Sequence, residues 1–510
     1  MRVGVIKLKK ICLFFVAILM LAFLLTACGG ADTDTIDRDT VTVLGSVTTT
    51  TLNPFTIALM EPWVVNALFD NLVRFAPDGS IQPMLAESWT VLEDGLTIIF
   101  NLREGVQFHN GLEMTADDVL FSFDTFVSEP TNYHILMYIT SWEKIDDHTI
   151  QLERAAVHAE VFNLLATSLP ITSRVAYEEM GAEAFGANPV GSGPYVFVSE
   201  DVGNNITLRA FPYYWDGEPE IENLIIRAPM DMATAVVALQ NGEIDIITEI
   251  PAAQWSIVQA DDSLVFDSTS GWSAMTLTMM NALRDDVNLR KAIYHGINRE
   301  NAIIFGTEGT AVESVDIFSA RTMGELAGTF DFVGYDVELA KEYLARSNYV
   351  PGTPIQITVT DANAAAVATS IQNDMNQIGI TLDIVQVDMN AFFDMLMGGE
   401  VDLFPMAMGL APVSTIDMLY FWESTNPIWG WQVATDEEYD ELTLLMREET
   451  DHEALMAMAR RAIEIQHDLA NFLALYETVF SLAHTNEITD VMVLSVAAMR
   501  FYPGDIRLAR

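Results

Sequence analysis

The side chains that could carry out chemistry are few, and their spacing argues against catalysis. The 510-residue chain has eight histidines, and none of them shows a His-x-His or His-Glu-x-x-His spacing. It contains no Gly-x-Ser-x-Gly elbow and no phosphate-binding loop. Adjacent acids such as Asp117-Asp118 have the residue type of glycosidase carboxylates, but in a chain with 72 acids such pairs carry little information. The sequence therefore predicts no enzymatic activity, no cofactor and no metal site.

Cys28 has the sequence context of a lipidated cysteine. Basic residues up to Lys10 precede an apolar run over 11–25, which is short for a membrane span and fits a secretory signal. The run ends in Leu-Thr-Ala before Cys28, and this pattern resembles the bacterial lipoprotein signal. We therefore expect a signal peptide over 1–27, a lipid on Cys28 and a flexible tether over 28–40. Cys12 would leave with the signal, so the mature chain could form no internal disulfide.

The charge of the chain is strongly acidic. Against 72 acids there are 25 lysines and arginines, which gives a formal net charge of −47. Such a charge repels nucleic acid and anionic membrane surfaces, so binding to DNA or RNA is not expected. The acids are spread along the whole chain, which favours a solvated acidic surface over a single large cation site. The length suffices for two to four domains of about 150 residues each.

Hydrophobic spacing and turn residues predict a mixed α/β chain. Thr115 is expected to cap a helix that continues to Phe126, with acids in its first turn. Strands are predicted at 41–44, 96–103, 195–198, 206–211, 224–227 and 244–247, and helices at 64–72 and 232–240.

From about residue 354 strands and helices alternate regularly. Strands at 355–359, 380–387 and 401–406 enclose helices at 364–377 and 391–397, which predicts a largely parallel sheet covered by helices. Residues 453–480 have a long amphipathic pattern and are predicted to form one helix across a domain face.

Several separated motifs occur in a specific order. They are Met84-Leu-Ala-Glu-Ser-Trp-Thr90, Phe100-Asn-Leu-Arg-Glu-Gly-Val-Gln-Phe-His-Asn-Gly111, Pro189-Val-Gly-Ser-Gly-Pro-Tyr-Val-Phe197, Tyr213-Tyr-Trp-Asp-Gly217, Leu239-Gln-Asn-Gly-Glu-Ile-Asp245 and Leu289-Arg-Lys-Ala-Ile-Tyr-His-Gly-Ile-Asn-Arg299. In this order and spacing the chain resembles the extracellular solute-binding proteins of family 5, the peptide and nickel class of ABC-importer receptors. Most of these residues are expected to be architectural. We expect Gly191 and Gly193 to be required by their backbone angles, and His109 to be structural.

The resemblance implies a two-lobed α/β fold of the periplasmic-binding-protein type II, with an extra small domain in the N-terminal lobe and a hinge between the lobes. By this analogy the ligand is enclosed as the lobes close. The implied boundaries are 41–75, 190–283 and 486–510 for lobe I, 76–189 for the extra domain and 284–485 for lobe II.

The resemblance also implies where the ligand binds. In many peptide-binding members the cleft loop of lobe II begins Gly-Trp and carries an aspartate that pairs with the free amino group of the peptide. Met408 and Gly409 lie in the corresponding loop, but Leu410 replaces the tryptophan, and proline and valine at 412–413 stand where the aspartate would lie. Asp417 follows. Either it anchors the amino group or it caps a helix and the amino group is not recognised by charge; we favour the second alternative.

Aromatic and hydroxyl side chains complete the set of candidate contacts. A tryptophan wall offers a large contact area at low entropy cost, although core packing is the simpler explanation for each tryptophan. The candidates are Trp272, Trp422, Trp429 and Trp431. Thr49 and Thr50 could offer hydroxyls and amides to the cleft.

The expected partners are a peptide ligand, the permease and ATPase subunits of an importer, and the membrane through a lipid anchor, with the protein acting as a monomer outside the cytoplasm. A nickel chelate is a weaker candidate ligand because 400–425 contains no histidine. An oligosaccharide ligand, and a peptide-sensing, chaperone or adhesin role for the same fold, stay open.

Overall fold

The computed structural model describes residues 39–45, 51–59, 62–76, 80–129, 139–155, 157, 161–314, 316–408, 415–426, 430–491 and 502–509. Only the backbone is described for 57–59, 62, 272 and 390. The predicted signal peptide and Cys28 lie outside these residues. None of the described helices is both long enough and apolar enough to cross a bilayer.

Strands occur throughout the described chain. In order they are β1 Thr40–Leu44, β2 Val73–Phe75, β3 Ile81–Pro83, β4 Ala86–Val91, β5 Thr97–Leu102, β6 Ile139–Asp146, β7 Thr149–Arg154, β8 Tyr195–Asp201, β9 Asn205–Ala210, β10 Asn223–Arg227, β11 Ile246–Thr248, β12 Leu264–Met279, β13 Val312–Glu313, β14 Pro354–Val359, β15 Thr381–Gln386, β16 Leu403–Met408, β17 Phe472–Thr485, β18 Ile488–Thr489 and β19 Arg507–Leu508.

Helices connect most of these strands. In order they are α1 Pro62–Leu68, α2 Ala116–Ser128, α3 Val161–Thr167, α4 Arg174–Met180, α5 Ala182–Ala187, α6 Met232–Gln240, α7 Ala252–Gln259, α8 Val287–Gly296, α9 Arg299–Thr307, α10 Ala320–Met323, α11 Val337–Arg346, α12 Ala362–Ile378, α13 Met389–Gly398, α14 Thr415–Tyr420, α15 Glu437–Met446 and α16 His452–Leu469.

Aspartate begins many of these helices. The side chain of the residue before the helix accepts a hydrogen bond from a backbone amide of the first turn, which satisfies a donor that the helix itself leaves unpaired. The caps of this kind are Asp231, Asp286, Asp336, Asp361, Asp436 and Asp451. Part of the acid excess of the sequence therefore has a local structural role.

The largest sheet runs through both lobes of the fold. Its order is β15-β14-β16-β12-β17-β11-β1-β10-β9-β8, with β13 also paired to β17. We call the part with β1 and β8 to β11 the first lobe, and the part with β13 to β16 the second lobe. β12 pairs with β16 in the second lobe, β17 pairs with β11 in the first, and β12 and β17 pair with each other along their length. The chain therefore passes between the lobes in β12 and again in β17, and we call this strand pair the crossover.

The helix predicted over 453–480 is wrong in its second half. α16 ends at Leu469, Ala470 has a left-handed φ of 51°, and the chain continues as β17 from Phe472. Neither glycine nor proline marks this change. Most of β17 is buried, on both faces of the sheet, so it lacks the apolar–polar alternation by which a half-buried strand is recognised.

A smaller antiparallel sheet lies apart from the main sheet. Its order is β4-β5-β7-β6, and α2 packs on it through Phe123, whose ring lies 5.3 Å from that of Trp142. As predicted, Thr115 begins α2, and its backbone amide donates to Asp118 Oδ2 at 2.9 Å. This sheet falls inside 76–189, the boundaries of the extra domain, which remain a prediction.

Gly191 and Gly193, where the chain enters β8 of the main sheet, are required by close packing. Our prediction that their backbone angles require glycine is wrong. Neither Gly191 nor Gly193 has a positive φ. A Cβ on Gly191 would lie 1.9 Å from the carbonyl oxygen of Leu68, and one on Gly193 would lie 2.5 Å from that of Ala67. His109 fastens this contact: its Nδ1 accepts from the Gly191 amide at 3.3 Å, and its Nε2 donates to the Gly193 carbonyl at 3.0 Å.

Asp70 is fully buried and lies next to the segment 191–193 that leads into β8. Trp215 Nε1 donates to it at 2.9 Å, the Tyr214 hydroxyl at 3.1 Å and the Ser192 hydroxyl at 3.2 Å. Burial raises the pKa of Asp70 to about 7, although these hydrogen bonds lower it. Two of the separated sequence motifs thus meet at one buried acid.

Candidate ligand-binding cleft

The strands of both lobes direct their carboxyl ends towards the middle of the crossover. In the first lobe β1 runs parallel to β10 and β11, and Thr248 at the end of β11 pairs with Leu482 of β17. In the second lobe β14 runs parallel to β15 and β16, and Met408 at the end of β16 pairs with Ala274 of β12. Ligands of open α/β sheets bind outside the carboxyl ends of the strands. The candidate site is therefore the cleft between these two sets of strand ends.

The crossover contains a bulge at its centre. Ser270 pairs with Val479, and the next pair joins Ala274 to Glu477, so residues 271–273 stand opposite Thr478 alone. A bulge interrupts the ladder and lets the strand bend there. The register therefore places a point of local bending between the two lobes.

Side chains close to this bulge hold it in place. Thr478 Oγ1 donates to the Ser273 carbonyl at 3.0 Å. A Cβ on Gly271 would lie 2.4 Å from the Phe480 ring, so this position has space only for glycine. Glu477 Oε1 accepts from the Ala320 amide at 2.6 Å and so links the crossover to the second lobe.

Some of the predicted ligand contacts lie next to this bulge. Trp272 is within it, although its side chain is outside the described residues, and half-buried Met408 pairs with Ala274 on the neighbouring strand. Thr49, Thr50, Gly409 and Trp429 are outside the described residues.

The other three candidates have different surroundings. Asp417 is 1 % exposed in the first turn of α14, so it does not occupy the cap position that we expected. Trp422 is also 1 % exposed and stacks on Phe472 at 4.7 Å, which is core packing. Trp431 is exposed, but it lies against Gly399 beyond the distal end of β12. The neighbour of Trp431, Gln432, accepts a hydrogen bond through its carbonyl from the amide of Asn281. Asn281 lies seven positions after Ala274, which in a strand corresponds to about 20 Å.

The family follows from a comparison over most of the chain. Residues 80–429 match the model of the bacterial extracellular solute-binding proteins, family 5. The chain belongs to this family. The resemblance seen in the sequence motifs is confirmed, and the family and the matched proteins are binding proteins.

Two curated relatives match most of this solute-binding protein. The di/tripeptide-binding protein 2 of Pseudomonas aeruginosa is 28 % identical over 396 residues, which are 70 % of this chain and 71 % of that protein. The dipeptide-binding protein of Escherichia coli is 24 % identical over 453 residues, which are 81 % and 84 % of the two chains.

A solved structure shows the same fold. The periplasmic binding protein DppA of Helicobacter pylori, in complex with the peptide STSA, superimposes with a TM-score of 0.80 and 24 % identity over 92 % of this chain and 98 % of that one. The predicted two-lobed α/β fold is therefore confirmed.

Glu249 borders the candidate cleft, and the sequence analysis did not single it out. It follows β11 directly at the edge that faces the crossover, and it has a left-handed φ of 57°. Its side chain is exposed to solvent, yet the surrounding protein desolvates the carboxylate and raises its pKa. The only sequence signal was an acid between a buried strand and Pro251, which is too common to single out.

Proposed function

We propose that this solute-binding protein captures a short peptide between its lobes and delivers it to the permease of an ABC importer. The observation that carries the proposal is that two sets of three parallel strands, one set in each lobe, direct their carboxyl ends towards one bulged crossover. This arrangement lets the lobes close on a ligand by a local bend. The names of the two curated relatives, which bind di- and tripeptides, support a peptide of two or three residues.

The proposed contacts are the candidates that lie beside the crossover in sequence or in the strand register. Trp272 is in the bulge and Met408 is paired beside it, while Gly409 follows β16. Thr49 and Thr50 come a few residues after β1 ends. We propose that the lobe passages are the middle of β12 and the middle of β17.

We further propose that the mature protein is a monomer anchored by a lipid on Cys28 outside the cytoplasm. The basic start, the apolar run and the small residues before Cys28 support this. Cys28→Ala should block the incorporation of labelled fatty acid in bacterial cells. Labelling of the variant equal to that of the parent would contradict the anchor.

A thermal-shift screen tests the peptide proposal. A ligand at 100 times its Kd should stabilise the native state by about 2.7 kcal/mol. We expect this shift with di- or tripeptides, and no shift with nickel–histidine or oligosaccharides. A shift with only one of the latter would identify a different solute, and no shift together with tight binding of a partner protein would favour the chaperone or adhesin role.

A further inference from the structure

Acids are rare at the strand ends that border the cleft. Within four residues after β1, β10, β11, β14, β15 and β16 the sequence has four of them: Asp231, Glu249, Asp361 and Asp388. Three are engaged by their own lobe, because a carboxylate oxygen accepts from a helix amide. The distances are 3.0 Å for Asp231, 2.8 Å for Asp361 and 3.0 Å for Asp388.

Glu249 differs from these three. In the described part of the chain no side chain or amide donates a hydrogen bond to its carboxylate, and no cation pairs with it. It does not hold the cap position of the helix that follows, because Pro251 is the residue before α7. The carboxylate therefore belongs to an exposed residue at the carboxyl end of β11, with no counter-charge among the described residues.

The backbone holds Glu249 in a conformation that costs free energy. Its φ of 57° lies in the left-handed region, which non-glycine residues seldom occupy. Its amide donates to the Ser481 carbonyl at 2.8 Å, and the next carbonyl, of Ile250, accepts from Ser481 Oγ at 2.9 Å and from Trp255 Nε1 at 2.7 Å. Strain that surrounding bonds maintain is typical of functional positions.

We propose that Glu249 binds the free ammonium group of the ligand. The inference rests on the proposed peptide-binding function and identifies the Glu249 carboxylate as the group that binds the amino terminus of the peptide. A partly desolvated carboxylate without a partner is stabilised by a cationic group that binds beside it. In addition, the net charge of −47 attracts cations to the protein at long range. A single carboxylate suits an ammonium group better than a metal ion, and the described residues contain no cluster of three potential metal ligands. The anchor then lies in the first lobe, whereas Asp417 is buried in the second.

The test compares trialanine with N-acetyl-trialanine by isothermal titration calorimetry on the full chain. We expect the parent to bind the free peptide at least about 10-fold more tightly. Glu249→Gln should weaken binding of the free peptide by about 10- to 100-fold and leave the acetylated peptide unchanged. Asp231→Asn is the matched control, because asparagine also caps helices, and it should bind both peptides like the parent.

A second variant separates loss of binding from loss of folding. Glycine tolerates the left-handed region, so Glu249→Gly should raise the melting temperature while losing the preference for the free amino terminus. If the parent binds trialanine and Glu249→Gln binds it equally well, the inference is overturned and the peptide function stands. If the parent binds neither trialanine nor any peptide of the thermal-shift screen, the proposed function fails and the ammonium anchor fails with it.

Discussion

The hydroxyl of Thr478 donates a hydrogen bond to the carbonyl of Ser273 at 3.0 Å, across the bulge where β12 and β17 lose register. This bond joins β12 to β17 at the bulge, where the two strands do not form regular backbone pairs. Thr478→Val keeps the shape of the side chain and removes the donor, so we expect the free energy of unfolding to fall by about 1 kcal/mol. Urea titration measures this. Thr381→Val, on an exposed strand position, is the control, and equal stability of the two variants would contradict the role of the bond.

Gly271 should tolerate no larger side chain. A Cβ at this position would overlap the Phe480 ring, which packs against the same bulge. Gly271→Ala should therefore lower the free energy of unfolding by about 1–3 kcal/mol, and Phe480→Leu in the same chain should restore part of the loss. Gly398→Ala, where the new methyl group would meet only ordinary contacts, is the control for calorimetric melting. A Gly271→Ala protein that melts like the parent would show that the bulge adjusts freely.

Asp417 should matter for stability and not for affinity. Its side chain is 1 % exposed on a helix whose other residues are also buried. We expect Asp417→Asn to lower the melting temperature while the Kd for free and acetylated peptides stays within about twofold of the parent, because the proposed anchor of the amino group is Glu249. A selective loss of affinity for free peptides would show instead that Asp417 anchors the amino group.

Asp70 should give the stability a dependence on pH. Burial raises its pKa to about 7 in the folded chain, whereas an unfolded aspartate titrates near 4. Between these values the unfolded chain has released its proton and the folded chain retains it, so stability falls as the pH rises from about 4 to about 7. Over these three pH units the free energy of unfolding should fall by on the order of 4 kcal/mol.

The comparison with Asp70→Asn isolates this effect from the other titrating groups. The variant should show a smaller decline in the free energy of unfolding over the same range, measured by urea titration at several pH values. Parallel curves for the two proteins would mean that Asp70 is ionised in the folded state throughout.

The sequence was most informative where local pattern and structure coincide. The helix predicted at 232–240 is α6 Met232–Gln240, and the alternation after 354 is the parallel second-lobe sheet. β17 was missed because a strand buried on both faces has no period of two, and because Ala470 adopts a left-handed φ that nothing in its residue type announces.

The site could be predicted only in part. The motifs indicated the family and the loop after β16, but which acids face the cleft depends on strand pairings over more than 200 residues, such as that of Thr248 with Leu482. Asp361 and Glu249 look alike in sequence, each an acid after a strand. Only the structure shows that the first caps a helix and the second does not.

The crossover also sets the order in which the chain can fold during synthesis. β11 lies between β1 and β17, so the first-lobe sheet, begun at Thr40, stays incomplete until residues 482–484 are available. The second-lobe strands β14 to β16 lie wholly within residues 354–408 and can pair earlier. An exported chain that emerges from its amino end would therefore hold an open β1–β11 edge for most of its translocation. Such an edge invites pairing with other chains, so the slow step and the aggregation hazard of this protein belong to the lobe that is synthesised first.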